Sequence, residues 1–155
     1  ELIGGGREVA EDPNLRAALY DLSYEGAEEF NAAYPNDPDV YYQSWAGLSN
    51  VDGESRENDS ELCEDTFWRD QMANDEMDIL LKPLEWLTAE GSLTEPNDGL
   101  VKVSSSKWGE FRGCMRADHI DEIGQVFDTP PDPITGFDHL EFYHDVASDL
   151  ASRGF

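Results

Sequence analysis

Basic residues are scarce in this sequence. Ten Lys and Arg stand against 35 Asp and Glu, which leaves a formal net charge of −25 at pH 7 over 155 residues. A surface with this charge repels nucleic acid and anionic membranes, so the composition argues against both as partners. The same charges repel one another in the folded protein, and salt screens that repulsion. The composition therefore predicts a protein adapted to high salt.

Long apolar runs and cysteine motifs are also lacking. No stretch approaches the ~20 apolar residues that span a membrane. The first six residues, ELIGGG, lack the basic start and apolar core of a signal peptide, which says little if the chain has been processed. The two cysteines, Cys63 and Cys114, are far apart in the sequence and have no Cys-x-x-Cys spacing, so a zinc or thioredoxin-like site is unsupported. They are either one disulfide or two buried thiols.

Helix and strand patterns alternate along the chain. Predicted helices begin at Asp12-Pro13, at Ser23 and at Asp138, where a cap residue precedes an apolar face, and a bent or short helix is predicted over residues 80–87. Predicted strands lie at 40–45 and 100–103. Strands too far apart for hairpins favour an α/β fold with a largely parallel sheet.

The most polar stretch is residues 49–78, which is dense in Asp and Glu. Its composition predicts a long acidic excursion on the surface. Within it, Phe67, Trp68 and Met72 predict a helical turn that packs back on the body of the protein.

One pair of residues suggests acid–base chemistry. Asp98 lies in an Asp-Gly turn, and His119 follows about twenty residues later, flanked by Asp118 and Asp121. An Asp can hold one imidazole nitrogen while the other takes a proton from a nucleophile. Spacing alone leaves open that His119 is a surface or capping residue.

Three segments resemble bacterial triacylglycerol lipases. The first segment resembles the C-terminal signature of that family, which reads approximately NDGLV…G…NHLDEVNQVF. The matching residues are 97–101, 108–109, 118–122 and 125–127. Upstream, residues 22–35 (LSYEGAEEFNAAYP) resemble LNSEGAARFNAKYP, and residues 41–47 (YYQSWAG) are similar to YYSWSG. The segments follow the family order and cover about half of the chain.

The resemblance implies a secreted enzyme with the α/β-hydrolase fold that hydrolyses acylglycerol esters at an oil–water interface. It makes Asp98 the acid and His119 the base of a Ser-Asp-His triad. The sequence has no Gly-x-Ser-x-Gly pentapeptide for the nucleophile. Residues 1–155 are thus expected to be the C-terminal half of one domain, with 1–11 a lid-proximal or cut loop. The expected partner is the N-terminal half, which carries the serine.

A calcium site also follows from the resemblance. It implies side-chain ligands at Asp78 and Asp121 and backbone carbonyl ligands at Gln125 and Thr129. Hard oxygen ligands of this kind suit Ca²⁺. Because Asp121 lies two residues after His119, the metal would fix the loop that presents the base.

The sequence departs from the family at residues 111–114. A bridge from Cys114 to Cys63 would tie the acidic excursion to the loop of His119, and secretion would permit it. Two other functions stay open. One is a non-catalytic acidic calcium-binding interaction protein, and the other is a short-chain carboxylesterase of the same fold.

Overall fold

The computed structural model describes residues 13–21, 23–88, 95–124 and 130–155. The chain divides into two compact units, Glu1–Tyr41 and Tyr42–Phe155. The segment 1–11 lies outside the described residues, as do Gln125 and Thr129.

The first unit contains two helices, α1 (Pro13–Asp21) and α2 (Tyr24–Ala33). Ser23 caps α2, because its hydroxyl accepts a hydrogen bond from the Gly26 N–H at 3.2 Å. An N-terminal cap satisfies a backbone donor that has no partner inside the helix. Both predicted helices and the predicted cap at Ser23 are therefore confirmed, whereas Asp12, the predicted cap of α1, lies outside the described residues.

The sheet of the second unit is parallel. Strand β1 (Gln43–Gly47) pairs with β2 (Glu110–Met115), with Gln43 opposite Glu110 and Gly47 opposite Met115. Cys114 of β2 also forms a parallel bridge with Phe67, on the edge of β2 opposite to β1. A parallel sheet with long connections agrees with the predicted α/β class.

Two sequence predictions about strands are corrected. The strand predicted at 40–45 lies slightly later in the chain, at Gln43–Gly47. The strand predicted at 100–103 is wrong, because a short helix, Val103–Ser106, begins at its last residue. The Asp98 carboxylate accepts hydrogen bonds from the N–H groups of Leu100 and Val101, and this curls the backbone before a strand can form.

The acidic excursion 49–78 is anchored in the core. A short helix, Asp59–Leu62, leads to Cys63, which is disulfide-bonded to Cys114 of β2. The predicted helical turn at 67–72 is wrong, since Phe67 forms an isolated bridge with Cys114. Phe67, Trp68 and Met72 nevertheless pack on the core, as predicted. The excursion therefore contributes interior residues as well as surface.

The described part of the second unit also contains the helix Lys82–Thr88, a short 3-10 helix, Asp121–Ile123, and a final helix, His139–Arg153. The predicted cap of the final helix is confirmed, because Asp138 accepts hydrogen bonds from the N–H groups of Leu140 and Glu141. Among the described residues, every helix is too short or too polar to cross a lipid bilayer.

The final helix packs on the sheet through Phe142. Its ring makes edge-to-face contacts with Trp45 and Trp68 at centroid distances of 5.5 Å. The next residue of the helix, Tyr143, is 47% exposed. Phe142 and Val146 thus belong to the face of the helix that packs on the core.

Phe142→Ala is expected to lower the free energy of unfolding by about 3–5 kcal/mol, because it leaves a cavity among packed aromatic rings. Urea denaturation of the chain measures this change. Leu140→Ala in the same helix is the matched control, since Leu140 is 64% exposed and its loss should change stability by less than about 0.5 kcal/mol. Equal effects of the two changes would contradict the packing.

Candidate active site and acidic cluster

A tight turn holds the carboxylate of Asp98. Its Oδ1 accepts hydrogen bonds from Leu100 N at 2.8 Å and Val101 N at 2.6 Å, and Asn97 Oδ1 accepts one from Gly99 N at 2.7 Å. Gly99 has a φ of 97°, a left-handed conformation that favours glycine. Asp98 is 3% exposed, so its side chain is fixed by its own turn and shielded from water.

The imidazole of His119 lies against the second oxygen of that carboxylate. His119 Nδ1 is 2.8 Å from Asp98 Oδ2, and His119 N donates to the backbone oxygen of Asp98 at 2.9 Å. A carboxylate only accepts hydrogen bonds, so Nδ1 carries the proton and Nε2 is left as an acceptor. The His119 side chain is 41% exposed and that of Asp98 is 5% exposed. The pair therefore presents a proton acceptor at the surface, backed by a buried anion.

A third carboxyl group, that of Glu122, joins the pair. Ligand atoms of Asp98, His119 and Glu122 all lie within 4.8 Å of one another. Burial, followed by the charge of Asp98 beside it, raises the pKa of Glu122 to about 8. Glu122 belongs to a motif that resembles the lipase signature, but the sequence assigned it no role.

Gly47, at the end of β1, provides the space for these carboxyl groups. A Cβ atom at this position would lie 2.1 Å from Glu122 Oε1 and 2.9 Å from the Cβ of Asp98. Any side chain there would displace the acid of the candidate pair. The end of the strand thus forms one wall of the site.

A second cluster contains Asp75, Asp118 and Asp121, all buried, with ligand atoms within 4.8 Å of one another. Burial raises the pKa of Asp75 to about 7. Asp118 holds the loop of His119, because its Oδ1 accepts hydrogen bonds from Ile120 N and Asp121 N. Its Oδ2 accepts one from Asp78 N at 2.7 Å.

The predicted metal ligands are only partly brought together. Asp121 is in the cluster, whereas Asp78 reaches it through its backbone N–H, which donates to Asp118. Sequence reasoning missed Asp75 and Asp118. Asp118 stands where the quoted family signature has Asn, and that departure was the available signal. Gln125 and Thr129 lie outside the described residues.

The donor set of the cluster fits a calcium ion. All three side chains supply hard carboxylate oxygens, which Ca²⁺ prefers. Buried like charges are costly unless a cation neutralises them. In addition, Asp75 Oδ2 is buried and has no hydrogen-bond partner among the described residues. A bound cation would satisfy both requirements.

Neither of the other two histidines belongs to one of these clusters among the described residues. His139 packs on Gly124, where a Cβ atom would lie 2.2 Å from the imidazole Cε1. The side chain of His144 is 79% exposed. His144 is therefore the cleaner control for any test of His119.

The chain is similar to known lipases. It is 31% identical over 151 residues to triacylglycerol lipase 2 of Saccharomyces cerevisiae, a match that covers 91% of this chain and 39% of the yeast protein. Its fold matches the crystal structure of Staphylococcus hyicus lipase with a TM-score of 0.57 and 21% identity, over 97% of this chain and 41% of that one. No protein-family model matches the chain.

The similarity to the yeast protein confirms the resemblance to lipases that the sequence motifs indicated. The chain corresponds to the C-terminal part of these relatives and spans about two fifths of their length.

Proposed function

We propose that this chain supplies the acid and the base of a Ser-Asp-His triad that hydrolyses carboxylic esters of acylglycerols, within an α/β-hydrolase fold. The hydrogen bond between His119 Nδ1 and Asp98 Oδ2 carries this proposal. His119 Nε2 takes the proton of a serine hydroxyl as the serine attacks the ester carbonyl, and later returns it to the leaving alcohol. Asp98 orients the ring and stabilises the imidazolium ion.

The serine is proposed to lie on an N-terminal half that packs beside Asp98. Apolar side chains are exposed around the Asp98 turn and in the segment that packs on Gly99 through Leu81. They are Ile79, Leu80, Leu84, Leu100 and Val101. An apolar surface of this kind is typical of a face that another part of the fold covers. The same half would supply the oxyanion donors.

Labelling with a fluorophosphonate, which reacts with activated serines, tests this proposal. In the complete protein we expect hydrolysis of a triolein emulsion and a single labelled serine in a Gly-x-Ser-x-Gly segment outside residues 1–155. The 155-residue chain alone should neither react nor hydrolyse. A labelled serine within this chain, or no hydrolysis by the complete protein, would contradict the proposal. Activity on tributyrin but not on triolein would indicate a short-chain esterase.

We further propose that Asp75, Asp118 and Asp121 hold a calcium ion, to which the carbonyl groups of Gln125 and Thr129 remain predicted contributors. The ion would neutralise the buried charges. The chain's own contribution is positional, because Asp118 and Asp121 flank the loop that presents His119. This role is structural, and no chemical step at the ester passes through the site.

Removal of calcium is expected to destabilise the chain. At a calcium concentration about 100 times the Kd, binding contributes about 2.7 kcal/mol, so a chelator should lower the Tm by several degrees at fixed ionic strength. Asp121→Asn should abolish the difference between calcium and chelator. Glu57→Gln, at an exposed acid, is the control and should preserve it. An unchanged Tm in chelator would rule out the site.

Secretion is part of the same proposal. The disulfide between Cys63 and Cys114 supports it, because such bonds persist in oxidising compartments. Adaptation to salt stays a prediction of the composition.

A further inference from the structure

Ser49 is a buried residue next to the segment that carries Asp98. It lies just beyond the end of β1, is 1% exposed, and its N–H donates to the backbone oxygen of Asn97 at 3.0 Å. Asn97 directly precedes Asp98. The backbone of Ser49 is thus bonded to the segment that carries the candidate triad acid.

The hydroxyl group of Ser49 faces the acidic cluster. It lies within hydrogen-bonding reach of the Asp75 carboxyl group. This contact lowers the pKa of Asp75, whereas burial, the larger effect, raises it. Yet neither Ser49 Oγ nor Asp75 Oδ2 completes a hydrogen bond of normal geometry with the described residues. Two neighbouring buried oxygens without a well-formed hydrogen bond are rare in a folded protein, because each loses its bound water on folding.

We propose that Ser49 Oγ is a fourth side-chain oxygen donor of the cation site formed by Asp75, Asp118 and Asp121. The inference rests on the calcium site proposed above. Calcium takes six to eight oxygen ligands, and three carboxylates leave room for more. A hydroxyl adds a ligand without adding a fourth negative charge to a cluster that is already strongly repulsive. Coordination would also explain why its oxygen completes no hydrogen bond of normal geometry with the described residues.

The position of Ser49 gives this donor a second effect. Its side chain belongs to the cation site, while its backbone N–H holds Asn97 beside the Asp98 turn. The cation would then be connected to both members of the candidate pair, to His119 through Asp118 and to Asp98 through Ser49. A displacement of the cation would therefore change the position of Asp98 as well as that of His119.

Calcium titration of the complete protein and of its Ser49→Ala variant tests the inference, with CaCl₂ as the only added ligand. Loss of the hydroxyl should raise the Kd about 10- to 100-fold, as removal of groups that support metal ligands typically does. Ser104→Ala is the matched control, because Ser104 is an exposed serine that donates to Glu95. Its Kd should equal that of the unmodified chain.

Melting temperatures distinguish a ligand from a residue that only packs. In chelator, Ser49→Ala should melt at or above the Tm of the unmodified chain, because it removes an unsatisfied buried hydroxyl. In saturating calcium it should melt below it. A Tm lowered equally in both conditions, or an unchanged calcium Kd, would overturn the role of Ser49. Absence of calcium binding by the unmodified chain would overturn the cation site and this inference together, while the serine-labelling experiment tests hydrolysis separately.

Discussion

Replacing Asp98 by Asn is expected to lower the kcat of the complete enzyme by about four orders of magnitude. The reason lies in the Asp98 turn. Oδ1 of residue 98 accepts hydrogen bonds from Leu100 N and Val101 N, so the carbonyl oxygen of an Asn is held at that position. Its NH₂ group must then face His119 Nδ1. A donor at this place forces Nδ1 to accept and puts the ring proton on Nε2, where the base is needed.

This prediction separates a wrong tautomer from a damaged fold. Asp98→Asn preserves the shape and the backbone hydrogen bonds of the turn, so its Tm should stay close to that of the unmodified chain. Nitrogen-15 NMR of the imidazole should show the proton moving from Nδ1 to Nε2. His144→Ala, at an exposed ring, should leave kcat within a few-fold. Activity of Asp98→Asn within tenfold of the unmodified enzyme would remove Asp98 from the triad.

Removing the disulfide is expected to have the largest effect on stability. Cys63 and Cys114 are 51 positions apart, and a crosslink over a loop of that length stabilises by about 4 kcal/mol in the chain-entropy model. The double change Cys63→Ala and Cys114→Ala should lower the free energy of unfolding by this amount. Both positions are fully buried beside Ala46, Leu48 and Val103, so alanine avoids placing a hydroxyl in that core.

Guanidinium unfolding of the oxidised chain, the reduced chain and the double alanine variant measures the effect. Reduction should shift the midpoint of the unmodified chain to nearly that of the variant, and a reductant should leave the variant unchanged. A variant as stable as the oxidised chain would show that the crosslink contributes little to stability.

Local interactions made part of this fold predictable from sequence. The caps at Ser23 and Asp138 depend on residues within three positions, and both are confirmed. Strand β2 was missed because Glu110–Met115 contains a glycine and no β-branched residue, and its pairing with β1 depends on a distant segment. The strand propensities of single residues carry no information about pairing with a distant segment.

The residues of the candidate site were also only partly predictable from the sequence. The motifs indicated Asp98 and His119, and the structure places His119 Nδ1 2.8 Å from Asp98 Oδ2. Asp75 and Ser49 were not predicted, because they carry no motif of their own and reach the site only through the folded course of the acidic excursion. In so acidic a chain, composition cannot distinguish one buried Asp from its solvated neighbours. Only the tertiary fold does so.

The disulfide also bears on how fast the sheet can form. Parallel pairing of β1 with β2 joins segments far apart in sequence, and closing a longer loop costs more entropy and slows folding. Once Cys63 is linked to Cys114 within β2, the loop that β1 must close shrinks to the stretch between Gly47 and Cys63. The oxidised chain thus reaches its native strand pairing through a much shorter conformational search than the reduced chain.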